Sequence, residues 1–257
     1  MNINFILGMV RSGSTLLMGL CREHPDIETD VVEPNFLFQL LEKTYLPAHM
    51  YPAIGISESA IAAIFNKAIA TCTRTYYEGV CKRTGKKDVV IKHPYLTKHI
   101  YRLSGIFPEA KFLILVRHPY DVIASTFDFA LKQESAAKIF GKDLNKILSM
   151  YENWMGGIEN ALGARKVIMK FEDLLDDPAN FLDTTFKFFG KTLDLSAIHN
   201  IIKLANENRL SLVGSALGSS VIRRPGNKFE ILFQEPGKNL IRMHMRPFVK
   251  AFGYEER

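Results

Sequence analysis

The stretch Asn4-Phe5-Ile6-Leu7-Gly8-Met9-Val10-Arg11-Ser12-Gly13-Ser14-Thr15 decides how the chain folds. Asn4 to Leu7 is short and apolar, as a buried strand is, and Gly8 to Thr15 follows with the spacing G-x-x-x-x-G-x-[ST]. Leu16-Leu17-Met18-Gly19-Leu20-Cys21 continues as a helical pattern. Strand, glycine-containing turn and helix start together make an anion site. The first backbone N–H groups of the helix converge on the turn, and the helix dipole adds positive character there. A nucleotide triphosphatase carries lysine in the place of Ser14, to reach the β- and γ-phosphates. Here the cation has moved to Arg11, inside the turn. The cradle is kept and the triphosphate reader is not. A plain strand-to-helix connection would use its glycines only to relieve backbone strain, which leaves the crowding of Arg11, Ser12, Ser14 and Thr15 without a reason.

Outward from this turn, Val89 to Ile91, Phe112 to Val116 and Val167 to Met169 read as further buried strands, being short, apolar and β-branched. Helical patterns separate them. Ser57 suits an N-cap for a helix running to about Tyr77, Pro119 and Asp121 suit a helix start, and Asp143 to Leu162 and Pro178 to Phe189 carry helical spacing, the latter ended by Gly190. Trp154 falls on the apolar side of its helix and is expected in the core. Strands alternating with helices predict an α/β fold: a single domain over 1–257 with a central parallel sheet flanked by helices. Ser211 to Asn227 reads as a long loop, of a length that is often functional.

Of the 257 residues 47% are hydrophobic, enough for a sizeable core and against disorder. The apolar runs are strand-sized, far short of the roughly 20 residues a membrane span needs. The chain opens directly on a strand, which leaves no room for a signal peptide, so a soluble cytoplasmic protein is expected. Cys21, Cys72 and Cys81 show no metal-ligand spacing and read as reduced thiols, with Cys21 in the core. The net charge of +6 is spread along the chain with no basic run, so no nucleic-acid partner is expected.

A second anion motif lies at Phe112-Leu113-Ile114-Leu115-Val116-Arg117-His118-Pro119, a strand ending in arginine, with Ser125 on the helix that follows. Arginine at the strand tip suits a phosphate and cannot bind a metal. Together, MVRSGSTLL and FLILVRHPYDVIAS resemble the sulfotransferase family that uses 3′-phosphoadenosine-5′-phosphosulfate. His24-Pro25-Asp26, Lys92-His93-Pro94 and Phe107-Pro108-Glu109-Ala110-Lys111-Phe112 are similar to the protein-tyrosine sulfotransferase branch and related bacterial enzymes. Phe171-Glu172-Asp173-Leu174 resembles a segment that many members begin with tyrosine, and Phe252-Gly253-Tyr254 resembles the family's usual ending.

The resemblance implies a P-loop-NTPase-like sulfotransferase fold and transfer of a sulfuryl group without a metal, leaving adenosine 3′,5′-bisphosphate. It implies Arg11, Ser12, Gly13, Ser14 and Thr15 for the 5′-phosphosulfate, and Arg117 and Ser125 for the 3′-phosphate. Arg223, Arg224 and Gly226 resemble the basic-glycine segment that closes over that phosphate. Lys92, at the end of a sheet strand, is the candidate for stabilising the leaving phosphate and the moving sulfuryl oxygens, with Arg11 assisting. Glu33 is the leading candidate for the base; Asp30 and His93 are rivals, and Glu33 could instead cap a helix starting at Pro34.

Residues 33–84 and 205–235 are expected to be acceptor-side and lid insertions around a hydroxyl-bearing acceptor whose identity is open. The oligomeric state, a homodimer included, is open as well. Competing readings are a P-loop small-molecule kinase and a catalytically silent nucleotide-binding protein.

Overall fold

The computed structural model describes residues 1–29, 35–43, 57–159, 163–211, 222 and 226–256. Ile3–Leu7 forms β1, and all of its residues are buried, as in a strand with no solvent face. It pairs in parallel with β3 (Asp88–Lys92) on one side and β4 (Lys111–Val116) on the other. With β2 (Ile27–Thr29) and β5 (Arg165–Lys170) the sheet runs β2-β3-β1-β4-β5, parallel throughout. The α/β reading holds, with one strand more than the pattern predicts. At three residues, β2 is too short to show a period.

Alternation sends Phe5 and Leu7 to one face with Val89, Ile91, Phe112 and Ile114. That face is covered by α3 (Glu58–Thr84), α4 (Ile100–Ile106), α5 (Pro119–Lys132), α7 (Leu144–Glu159) and α12 (Glu235–Ala251). Phe5 stacks on Phe112 with ring centroids 5.1 Å apart, and burying each such ring contributes about 1.5–3 kcal/mol. Ile6 goes to the other face with Val90, Leu113 and Leu115. There it meets α1 (Ser14–Arg22), α8 (Phe171–Asp176), α9 (Pro178–Phe188) and α10 (Leu195–Asn206).

Ser57 caps α3 by accepting from the Ala60 N–H at 3.2 Å. The helix runs past the expected end at Tyr77 to Thr84, where Gly85 at φ 74° turns the chain and donates its N–H to the Cys81 carbonyl. Trp154 is in the core, as its spacing predicts. Cys21 and Cys81 are buried and Cys72 is exposed, all as free thiols. Among the described residues no helix is long and apolar enough to cross a membrane.

β1 leads through α1 toward β2 at one edge of the sheet, whereas β4 leads through α5 toward β5 at the other. Their carboxyl ends therefore flank the switch point, the place where open α/β sheets bind ligands.

Candidate active site

Two turns meet at that switch point, Gly8 to Gly13 after β1 and Arg117-His118 after β4. A Cβ on Gly8 would lie 2.7 Å from Ser12 Oγ and 2.8 Å from the Leu115 carbonyl oxygen, so the turn can press against β4 only with glycine there. Arg11 at φ 67° and Gly13 at φ 96° both take the left-handed conformation. Glycine does so freely, whereas arginine stores about 1–3 kcal/mol of strain. The Ser12 N–H turns back onto the Met9 carbonyl at 3.1 Å. Gly13 caps α1 without a side-chain hydrogen bond, and the first turn of the helix has no acidic residue. The helix start therefore keeps its donors and its dipole for an anion. Ser12 and Ser14 are buried, Thr15 is half-buried, and Ser12 Oγ has no hydrogen-bond partner among the described residues.

The two motifs interlock. Arg11 Nε donates to Ser125 Oγ at 3.3 Å and its guanidinium lies 4.9 Å over the Phe129 ring, both on α5. In return Arg117 Nη1 donates to the Arg11 carbonyl oxygen at 3.0 Å. Phe171 supports both sides: the Arg117 guanidinium is 5.5 Å over its ring, and a Cβ on Gly13 would meet the same ring at 2.4 Å. The Arg117 Nε is buried without a hydrogen-bond partner among the described residues. Burial pulls the pKa of Arg117 below its ordinary value, opposed by Asp121 and Glu172. Arg11 keeps an exposed side, yet the crowding of its guanidinium lowers its pKa too, opposed by Asp128. A desolvated cation is the kind that gains most from an anion.

Lys92 closes β3 opposite Ile6 and is buried, on the sheet face that α1 covers. His93 alternates to the opposite face. Its Nδ1 accepts from the Tyr95 N–H at 3.3 Å, capping a short 3-10 helix (Pro94–His99), and its ring stacks on Phe38 of α2 (Asn35–Lys43) at 5.2 Å. Gly226 is exposed, with open space where a Cβ would stand. Asp30, Glu33, Arg223 and Arg224 lie outside the described residues.

The structure thus brings Arg11, Ser12, Gly13, Ser14, Arg117 and Ser125 to one place, with Lys92 on an adjacent strand end. Sequence reasoning missed Asp128, which is buried on α5 and pairs with Lys132 at 2.8 Å and Lys228 at 2.5 Å. Those lysines hold its carboxyl below the usual range. The signal was available: Asp128 and Phe129 stand three and four residues after Ser125 and so share its helix face. Lys228 opens α11 (Lys228–Leu232), whose Phe229 stacks on Tyr120 of α5 at 4.9 Å.

The Sulfotransferase family model matches residues 4–194, and the chain belongs to that family. Nodulation protein NoeE of Sinorhizobium fredii is 35% identical over 130 residues, which cover 48% of this chain but only 30% of that protein. Protein-tyrosine sulfotransferase 2 of Gallus gallus is 24% identical over 272 residues, covering 99% of this chain and 70% of that protein. Among solved structures, the sulfotransferase domain of the Synechococcus PCC 7002 olefin synthase is similar with a TM-score of 0.63 at 24% identity, covering 100% of this chain and 96% of that one. Mouse sulfotransferase SULT7A1, complexed with PAP, is similar with a TM-score of 0.53 at 14% identity, covering 96% and 83%. Both likenesses show a shared fold.

Proposed function

We propose that this chain transfers the sulfuryl group of 3′-phosphoadenosine-5′-phosphosulfate to a hydroxyl of an acceptor, leaving adenosine 3′,5′-bisphosphate. The observation that carries this reading is the interlock of the two turns, with Ser12 Oγ and Arg117 Nε buried and still able to bond. Such a pair of neighbouring cationic turns suits a ligand with an anionic group at each end. A triphosphate would call for lysine at Ser14, and magnesium for a carboxylate where β4 ends in Arg117. Family membership supports the same choice.

Residues 11–15 and the start of α1 hold the phosphosulfate end. Arg117 and Ser125 hold the 3′-phosphate, with Arg223, Arg224 and Gly226 completing it. The donor supplies an activated sulfuryl group. Lys92 and Arg11 neutralise the charge that grows on the oxygens of the leaving phosphate. Glu33 takes the acceptor's proton, with Asp30 as its rival. His93 fits less well, because it sits on the sheet face opposite Lys92 and its Nδ1 already accepts from Tyr95. β2 lies parallel to β3, so the chain leaving Thr29 toward both acids starts at the same carboxyl edge as Lys92. A solvated glutamate has a pKa of about 4.3 and is a weak base, so Glu33 needs burial to act. Residues 33–84 build the acceptor side, where the half-buried Phe36 and Phe38 and the exposed Tyr76 offer aromatic surface for a sugar or a phenol, backed by the buried Tyr77 and His93.

The test is transfer from labelled donor, without added magnesium, to glycans, phenols, lipidic alcohols and tyrosyl peptides. Label on one of these classes is expected. Glu33→Gln should then lower turnover by about 10²–10⁴ while Asp30→Asn retains it. Magnesium-dependent consumption of ATP, with no transfer from the sulfated donor, would assign a kinase instead.

A further inference from the structure

Val116 of β4 pairs with Lys170 of β5, so Arg117-His118 and Phe171-Glu172 leave adjacent strands at the same edge. Glu172 bridges the two exits. Its Oε1 accepts from the His118 backbone N–H at 2.9 Å, and its Oε2 accepts from the Tyr254 hydroxyl at 2.7 Å.

Tyr254 is brought there by the end of the chain. After α12, Gly253 at φ 62° reverses the backbone, and Lys170 Nζ donates to the Gly253 carbonyl at 2.9 Å. The same ammonium lies 4.6 Å over the Tyr254 ring. His118 Nε2 faces the Glu255 carbonyl oxygen at 3.1 Å and must carry its proton to donate there, while Nδ1 accepts from the Tyr120 N–H at 3.3 Å. The His118 and Tyr254 rings are 5.1 Å apart. Burial, then Glu172, raises the pKa of the phenol well above its ordinary value, so Tyr254 stays an O–H donor.

The charges around this node compete. Arg117 is attracted by Asp121 and Glu172 and repelled by Arg11. Its Nη1 goes to the Arg11 carbonyl rather than to Glu172, whose two oxygens each already accept a hydrogen bond. Without the phenol, the half-buried Glu172 would lose one of its two hydrogen bonds, and its carboxylate would be open to Arg117, which it already attracts.

We propose that Tyr254 is a positioning residue for the second anion site: its hydroxyl occupies the Glu172 carboxylate and so leaves the Arg117 guanidinium aimed at the nucleotide. The role rests on the donor reading given above. A merely structural tail would lose stability when altered, but its effect on the nucleotide would not depend on the charge of residue 172.

The experiment titrates wild type, Tyr254→Phe and the double variant Tyr254→Phe/Glu172→Gln with adenosine 3′,5′-bisphosphate, with thermal unfolding of each. Tyr254→Phe is expected to bind about ten-fold more weakly. The double variant is expected to return to within about two-fold of wild type, since glutamine still accepts from the His118 N–H and offers Arg117 no charge. If Tyr254→Phe is too unstable to titrate, a folded double variant that binds like wild type is the same rescue. Wild-type affinity in Tyr254→Phe, or a double variant as weak or as unstable as the single one, overturns the proposal. Absence of binding in the wild type would instead overturn the donor reading, and this role with it.

Discussion

Arg117 reaches into the turn of Arg11, and Arg11 reaches the helix that follows Arg117; the exchange depends on their being arginine. A guanidinium can stack on a ring, give one N–H to a neighbour and still present others to a phosphate, whereas an ammonium on a flexible stem does not combine these. Arg11 does this over Phe129 with Ser125 as its partner, and Arg117 over Phe171 with the Arg11 carbonyl. Lys92 has a different task, as a compact buried cation at a strand end. Lys92→Ala is expected to lower the turnover number by about 10²–10³, with donor affinity changed less. A steady-state comparison with saturating donor checks this, and unchanged turnover would remove Lys92 from the chemistry. The identities of Arg11, Arg117 and Ser125 were legible because strand, turn and helix signals surround them. The left-handed backbone at Arg11 was not, because arginine is not a residue whose presence signals that conformation.

At the scale of elements, the core strands were the easiest to read. β1 and β4 lie in the interior of the sheet, so residues 5–7 and 112–116 are unbroken apolar runs. β2 hides in three residues, and the real end of α3 is set by Gly85 rather than by a change in pattern near Tyr77. α12 carries Ile241, Met245 and Val249 four residues apart, a period that was open to reading in the sequence.

Adjacent glycines on α7 separate packing from propensity. A Cβ on Gly157 would meet the Lys98 Cα at 2.7 Å and the Thr97 carbonyl oxygen at 2.8 Å, backbone atoms of the 3-10 helix that follows Lys92 and His93. A Cβ on Gly156 meets nothing within 4 Å. Gly157→Ala should destabilise the protein by about 1–3 kcal/mol through overpacking, while Gly156→Ala should stabilise it by about 0.5–1 kcal/mol. Denaturant unfolding of the pair checks both signs. Equal effects would mean that α7 does not touch the 3-10 helix as described.

Across the whole molecule the two edges of the sheet have different jobs. The carboxyl edge gathers the cations of the candidate site. At the amino edge Asp88 accepts from the Asn2 backbone N–H at 2.5 Å and pairs with Lys191 at 2.6 Å, tying the chain start, β3 and the link before α10 together. Burial raises the Asp88 carboxyl, but its bonds to Asn2 and Lys191 outweigh that and leave it below its ordinary value. A carboxylate with a lowered folded pKa adds stability above its unfolded pKa of about 3.9, and that share is lost as pH falls through the folded value. Asp88→Asn should therefore lower the melting temperature at pH 7, and the gap to wild type should close in acid. An equal gap at both ends of the titration would show that charge plays no part there. The most direct test of the molecule as a whole compares adenosine 3′,5′-bisphosphate with adenosine 5′-monophosphate by calorimetric titration of wild type and Arg117→Ala. Wild type is expected to prefer the bisphosphate by about 10- to 100-fold, and Arg117→Ala to lose most of that preference. Equal wild-type affinity for the two nucleotides would contradict a second phosphate site at Arg117 and Ser125.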